Sequence, residues 1–240
     1  MKQKQSGGES GVLAWAVHLF TASGAIFALL ALRAVEQGEE RSALLWLGVA
    51  LLVDGLDGTL ARAAKVRVRI PNIDGAALDL VVDYLTYVFV PCLLFWRGNY
   101  LPDSLAFPLT ATILVSSLYV FARKDMNTDD GYFRGFPALW NVVALYFVVA
   151  TPPGWIAAAI VTILVVMTFA PVHVVHPFRV RDYGPTLPAL AVGWAVFTAP
   201  LLYPALGVFA KAFLLVMSLA TAAIIAVLGL LRSYREQRPQ

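Results

Sequence analysis

Polar residues in this chain fall in short clusters, and the stretches between them are almost wholly apolar. Eight apolar runs stand out, at roughly 12–34, 42–62, 75–96, 105–122, 135–151, 154–172, 186–204 and 208–231. Runs of about 17 residues or more are long enough to cross a bilayer as helices. Strict alternation of apolar and polar positions, which a membrane β-barrel requires, is absent. Turn-forming clusters separate several runs: "TPPG" at 151–154, "YGPTLP" at 183–188 and "YPALG" at 203–207. The pattern predicts an all-α integral membrane protein with about eight transmembrane helices, forming a single domain over 1–240.

Composition agrees. Of the 240 residues, 60% are hydrophobic and 14% charged, where soluble domains carry about 25% charged. The mean hydropathy is +0.74. The first apolar run follows the basic start "MKQKQ". It is long for a signal peptide and further runs follow it, so an uncleaved first helix is expected. One cysteine, Cys92, excludes an intramolecular disulfide. A net charge of +3 on an apolar chain suits anionic lipid on one face and not nucleic acid.

Eight crossings place both termini on one side, and positive charge selects that side. Of the 18 lysines and arginines, only Arg33, Arg41, Arg97 and Lys211 fall on the opposite face. The expected orientation has both termini in the cytoplasm. The link between the second and third runs, 63–74, is then cytoplasmic too.

That link is flanked by carboxylates where an apolar helix should carry none. Asp54 and Asp57 are three residues apart, and Gly58 and Ala61 continue their face. Asp79 and Asp83 are four apart, with Gly75 one turn earlier. Antiparallel neighbouring helices would bring the four carboxylates together. Unpaired, they would repel and resist desolvation. A divalent cation removes both penalties, and all-carboxylate ligation favours Mg²⁺, Mn²⁺ or Ca²⁺.

The series Asp54-x2-Asp57-Gly58-x2-Ala61-Arg62, then Gly75-x3-Asp79-x3-Asp83, resembles the signature of the CDP-alcohol phosphatidyltransferase family. The resemblance implies a membrane enzyme that transfers a phosphatidyl or phospho-alcohol group from a CDP-linked donor to an alcohol, releasing CMP. It implies Mn²⁺ or Mg²⁺ held by Asp54, Asp57, Asp79 and Asp83, with Asp83 also the general base. Gly58, Ala61, Arg62 and Gly75 would line the CDP moiety. One departure is the twelve-residue gap "AAKVRVRIPNID", 63–74, where the family usually has about eight residues. The long gap and the run "RIPNIDGAALDLVVDYLTYVFVP" resemble the bacterial branch that joins CDP-diacylglycerol to free choline; "FRGFPALWN" (133–141) is the other specific stretch. By the same resemblance the protein is a homodimer in the bacterial inner membrane, with its active site facing the cytoplasm. No activated nucleophile stands near the motif, so direct displacement is expected and not a covalent intermediate.

Choline carries a quaternary ammonium, which aromatic faces bind. Tyr84, beside Asp83, and Trp140 are the preferred candidates among Tyr84, Tyr87, Tyr119, Tyr132, Phe133, Phe136 and Trp140. Asn141 serves equally as interhelical glue. His173 and His176 have metal-compatible spacing but no third ligand, so they are read as interfacial histidines. Two other readings stay open: a different acceptor (serine, inositol phosphate or glycerol phosphate), or a divalent-cation transporter using the aspartates for translocation.

Overall fold

The computed structural model describes residues 6–236, with side chains from 11 to 235. In order, it contains α1 (Ser6–Glu36), α2 (Glu40–Ala63), α3 (Val66–Arg69), α4 (Gly75–Asp83), a π-helical segment (Tyr84–Phe89) and α5 (Val90–Arg97). After these come α6 (Asp103–Ala122), β1 (Phe133–Arg134), α7 (Trp140–Ala150), α8 (Gly154–Phe169), β2 (His173–Val174), α9 (Thr186–Thr198) with a 3₁₀ turn (Ala199–Leu202), and α10 (Val208–Glu236).

Each of the eight apolar runs contains a helix. Among the described residues, five helical stretches are long and apolar enough to cross a membrane: Gly11–Glu36, Glu40–Ala63, Gly75–Arg97, Asp103–Ala122 and Val208–Arg235. The other three are shorter: Trp140–Ala150, Gly154–Phe169 and Thr186–Leu202. The run expected at 135–151 becomes helical only at Trp140. Before it, Gly135 and Ala138 adopt left-handed backbone (φ +80° and +58°), and Pro137 lies between them. With 11 residues at about 1.5 Å each, α7 reaches roughly 17 Å, against a hydrocarbon core of about 30 Å. The run expected at 154–172 stops at Phe169, two residues before Pro171.

The chain forms two compact units. One holds the residues up to Gly98 together with Trp140–Leu145, and the other holds Asn99–Leu139 and the residues from Tyr146 onward.

In the first unit a short turn with Gly38 at φ +74° folds α2 back along α1. The buried stripe of α1 runs through Ala14, Val17, His18, Thr21, Gly24, Ala28, Ala31 and Val35, the spacing of one helical face. That of α2 runs through Ala43, Leu44, Leu47, Ala50, Val53 and Asp57. Small residues (Ala14, Gly24, Ala28 and Ala31) recur along the α1 stripe and face a larger α2 stripe that has Ala43 and Ala50 among its leucines. This lets the two backbones pack closely where lipid tails supply no hydrophobic drive. α1 also packs closely on α4, where a Cβ on Gly24 would collide with Cγ1 of Val82. Leu19, Ile26, Leu29, Leu52 and Leu56 point outward from α1 and α2.

The twelve-residue gap folds into the one-turn helix α3. Val66 and Ile70 are buried with Ala14, Val17 and Ala64, and Ala61 and Ile73 pack against this cluster. Arg67, Val68 and Arg69 stay exposed.

In the second unit, β1 and β2 pair antiparallel, Phe133 with Val174 and Arg134 with His173. Tyr132 is fully buried with Val175, Val180 and Leu187, and its hydroxyl donates to Asp182 at 2.8 Å. Arg232 of α10 donates to Asp130 at 3.0 Å. Farther along α10, Ser218 joins a polar chain: Trp194 Nε1 donates to the Tyr146 hydroxyl (2.8 Å), which meets Ser218 Oγ (2.7 Å), which meets Thr198 Oγ1 (2.6 Å).

Candidate active site

The site lies in the first unit, where the C-terminal end of α2 passes the N-terminal end of α4. Asp74 starts α4. Its carboxylate accepts from the backbone N–H groups of Ala76 (3.0 Å) and Ala77 (3.2 Å), capping the helix. Asp79 and Asp83 then project one and two turns in, as their spacing predicts.

Carboxylate oxygens of Asp54, Asp57 and Asp79 all lie within 4.8 Å of one another. Asp57 is buried, at 6% exposure, and touches the Thr21 hydroxyl and the Asp79 carboxyl. Two like charges about 4 Å apart repel by about 4 kcal/mol at an effective dielectric of 20. Three hard oxygen donors at this separation fit a divalent cation such as Mg²⁺ or Mn²⁺, and no soft ligand belongs to the set. Asp83 stands outside the triplet. It is in hydrogen-bond contact with Asp54, and its Oδ1 is buried without a partner.

Beyond Asp83 the helix widens into the π segment. π-Helical turns inside α-helices often mark functional sites. Here the segment carries Tyr87, which is buried and donates from its hydroxyl to Asp54 Oδ2 at 2.7 Å. Asp54 is thus held from one side by Tyr87 and touched by Asp83.

The other candidates fall as follows. Gly58 and Ala61 are half-buried and Arg62 is exposed. Arg62 folds back along α2, its Nη2 donating to Thr59 Oγ1 at 3.1 Å, and Nη1 would stand 3.4 Å from a Cβ on Gly58. Gly75 faces His18 of α1. Tyr84 is half-buried and opens the π segment. Trp140 is fully buried, its ring meeting Phe95 edge to face at 6.4 Å. Of the two aromatic candidates for choline, then, only Tyr84 is partly exposed. The Asn141 side chain accepts from the backbone of Val142. In the second unit, His173 lies against Ser233 and His176 stacks on Phe133 at 5.2 Å.

The sequence reading passed over four residues here: His18, Thr21, Asp74 and Tyr87 as a partner of Asp54. Asp74 had a recognisable signal, an Asp directly before an apolar helical pattern. Tyr87 lies four residues beyond Asp83, so the stripe extended by one turn contains it. His18 and Thr21 carry no local signal, because only the packing of α1 brings them to the aspartates.

The profile of the CDP-alcohol phosphatidyltransferases matches residues 13–170, which includes every motif aspartate. Among curated proteins, the chain is 49% identical over 183 residues to a phosphatidylcholine synthase of Pseudomonas aeruginosa, covering 76% of this chain and 77% of that one. It is 44% identical over 186 residues to one from Bradyrhizobium diazoefficiens, covering 77% and 69%. The match to one from Rhizobium johnstonii is 34% identical over 223 residues and spans 90% and 88%. Motif, site geometry and these matches agree: the chain belongs to the CDP-alcohol phosphatidyltransferase family.

Proposed function

We propose that this protein is a phosphatidylcholine synthase, transferring the phosphatidyl group of CDP-diacylglycerol to choline and releasing CMP. The observation that carries phosphatidyl transfer is the Asp54, Asp57 and Asp79 triplet within 4.8 Å, in a chain of this family. Choline as acceptor is supported by the relatives' names and by the twelve-residue gap.

In this reading Asp54, Asp57 and Asp79 hold one or two divalent ions. When bound, such ions supply charge neutralisation of the diphosphate and stabilise the departing CMP. Tyr87 and Thr21 fix the carboxylates to which they bond, so the oxygens converge before a ligand arrives. Gly58 and Ala61 keep the face of α2 beside the carboxylates small for the nucleotide. Gly75 lets α1 pack close to the start of α4, and Arg62 offers the nucleotide a positive charge. Asp83 accepts the proton of the choline hydroxyl as the choline oxygen bonds to the phosphatidyl phosphorus and the bond from that phosphorus to CMP breaks. Tyr84, next to Asp83, offers a face to the quaternary ammonium.

The enzyme works as a homodimer in the inner membrane, with both termini and the active site facing the cytoplasm. Support for the orientation is the distribution of Lys and Arg.

The test is purified protein with CDP-diacylglycerol, Mn²⁺ and a panel of alcohols, reading CMP release. Choline-dependent release, abolished by EDTA and restored by Mn²⁺ or Mg²⁺, is expected. Release driven by serine, inositol phosphate or glycerol phosphate in place of choline would overturn the acceptor. Ion flux without CMP release would overturn the reaction.

A further inference from the structure

In α1, His18 is 6% exposed, and its Nε2 is buried with no hydrogen-bond partner. Buried polar atoms are ordinarily bonded, so this nitrogen needs an explanation. The Trp15 ring meets the imidazole edge-on, with centroids 6.2 Å apart and planes at 69°. The Cε1–Nδ1 edge of the ring faces the start of α4, where a Cβ on Gly75 would stand 3.2 Å from Cε1 and 3.8 Å from Nδ1, so Nε2 is directed away from Gly75. One turn farther along the same helix, Thr21 touches Asp57. The first helix is therefore a third wall of the carboxylate site, with Thr21 at the level of the aspartates and His18 one turn before it.

We propose that His18 Nε2 hydrogen-bonds a ribose hydroxyl of the nucleotide and makes the enzyme prefer a ribonucleotide donor. The inference rests on the phosphatidyl-transfer reading above, which puts the diphosphate at the carboxylates. His18 and Thr21 are separated by about 4.5 Å along the helix, at about 1.5 Å per residue. The ribose follows the diphosphate through one phosphoester link and one methylene, a comparable span. Gly75, with no side chain, leaves the imidazole room against α4 and so sets the ring in place. A neutral imidazole nitrogen can donate or accept, and a hydroxyl can do either, so the two match in both tautomers. The quaternary ammonium of choline offers such a nitrogen nothing to bond.

The test reads nucleotide binding, not turnover. CMP, 2′-deoxy-CMP and 3′-deoxy-CMP are titrated calorimetrically into the purified protein with Mn²⁺ present. The wild-type protein is expected to bind CMP about 5–10-fold more tightly than at least one deoxy analogue, the scale of one neutral hydrogen bond. His18→Phe should weaken CMP to the level of that analogue and leave the analogue unchanged. His18→Gln, which keeps a polar group and guards against a packing defect in the Phe variant, should retain part of the gap. Equal wild-type affinity for all three nucleotides overturns the proposal. So does a His18→Phe protein that keeps the full gap, or one that weakens all three ligands alike, which would mean a phosphate partner or a packing role. Failure of the underlying reading looks different: the wild-type protein then binds no nucleotide at all.

Discussion

The Tyr87 hydroxyl donates to Asp54 Oδ2 at 2.7 Å, joining the π segment to α2 across the carboxylate site. Tyr87 is buried, so the bond is shielded from competing water. Tyr87→Phe keeps the ring and its packing and removes only the donor. Groups that orient metal ligands typically contribute 10–100-fold to metal affinity or activity. We expect the half-saturating Mn²⁺ concentration of Tyr87→Phe to rise by about that factor, with melting temperature in detergent nearly unchanged. An unaltered Mn²⁺ dependence would mean that Asp54 needs no anchoring.

Contact between α1 and α4 depends on Gly24, because a Cβ there would collide with Val82 Cγ1. The same pair of helices sets His18 against Gly75, and from this packing Thr21 reaches Asp57 of α2. Gly24→Ala should therefore force the helices apart, at a cost of about 1–3 kcal/mol typical of overpacking. Thermal melting should fall, and CMP release should fall with it. Val82→Ala in the same chain removes the colliding methyl, and the double variant should recover much of both losses. Purely additive losses would place the strain elsewhere.

Much of this site was legible in the sequence, because its chemistry is local. Asp54 and Asp57 share a face by spacing alone, as do Asp79 and Asp83, and the joining link is short enough to make the two helices neighbours. Three of the four carboxylates meet as that argument expects. Contributions from distant segments were not legible. His18 lies more than thirty residues before the first aspartate, and nothing in "AVHLFTASG" distinguishes it from an interfacial histidine. The π segment was hidden for a different reason: beyond Asp83 the residues to 96 are uncharged and mostly apolar, so their pattern carries no mark of a changed helical pitch. At 135–139 hydrophobicity misled, since the residues are apolar enough for a span, but Gly135 and Pro137 set the backbone.

His176 gives the second unit a pH dependence. It sits in the loop before α9, where burial, with Arg179 nearby as a lesser cause, lowers its pKa to about 4 from the usual 6.5. Its Nδ1 accepts from the backbone N–H of Phe178 at 3.3 Å, which requires the ring to be unprotonated there. The unfolded chain binds a proton near pH 6.5 and the folded chain does not until about pH 4. The contribution of His176 to stability is thus complete above pH 6.5 and is lost as pH falls towards 4. Melting temperature in detergent should drop between pH 7 and pH 5, and His176→Gln should flatten that drop. A wild-type profile that His176→Gln leaves unchanged would assign the dependence to another group.

Asp83 carries the sharpest prediction. One side of its carboxyl touches Asp54, while Oδ1 is buried without a partner. Asp83 also stands outside the triplet of closely spaced oxygens, one helical turn beyond Asp79. A carboxylate so placed is near enough to the metal ligands to reach an acceptor bound beside them, and it keeps one oxygen for the acceptor's proton. Asp83→Asn preserves size and most hydrogen bonding but removes the basic oxygen. CMP binding with Mn²⁺ should persist, whereas choline-dependent CMP release should fall by about 10²–10⁴-fold, the usual range for loss of a general base. Asp57→Asn, within the triplet, should instead weaken Mn²⁺ and CMP binding directly. Should Asp83→Asn lose CMP binding yet keep turnover at saturating Mn²⁺, Asp83 is a ligand and the proton leaves by another route. Transfer at the wild-type rate would remove both roles, because an amide can neither accept the choline proton nor supply the negative charge a cation needs.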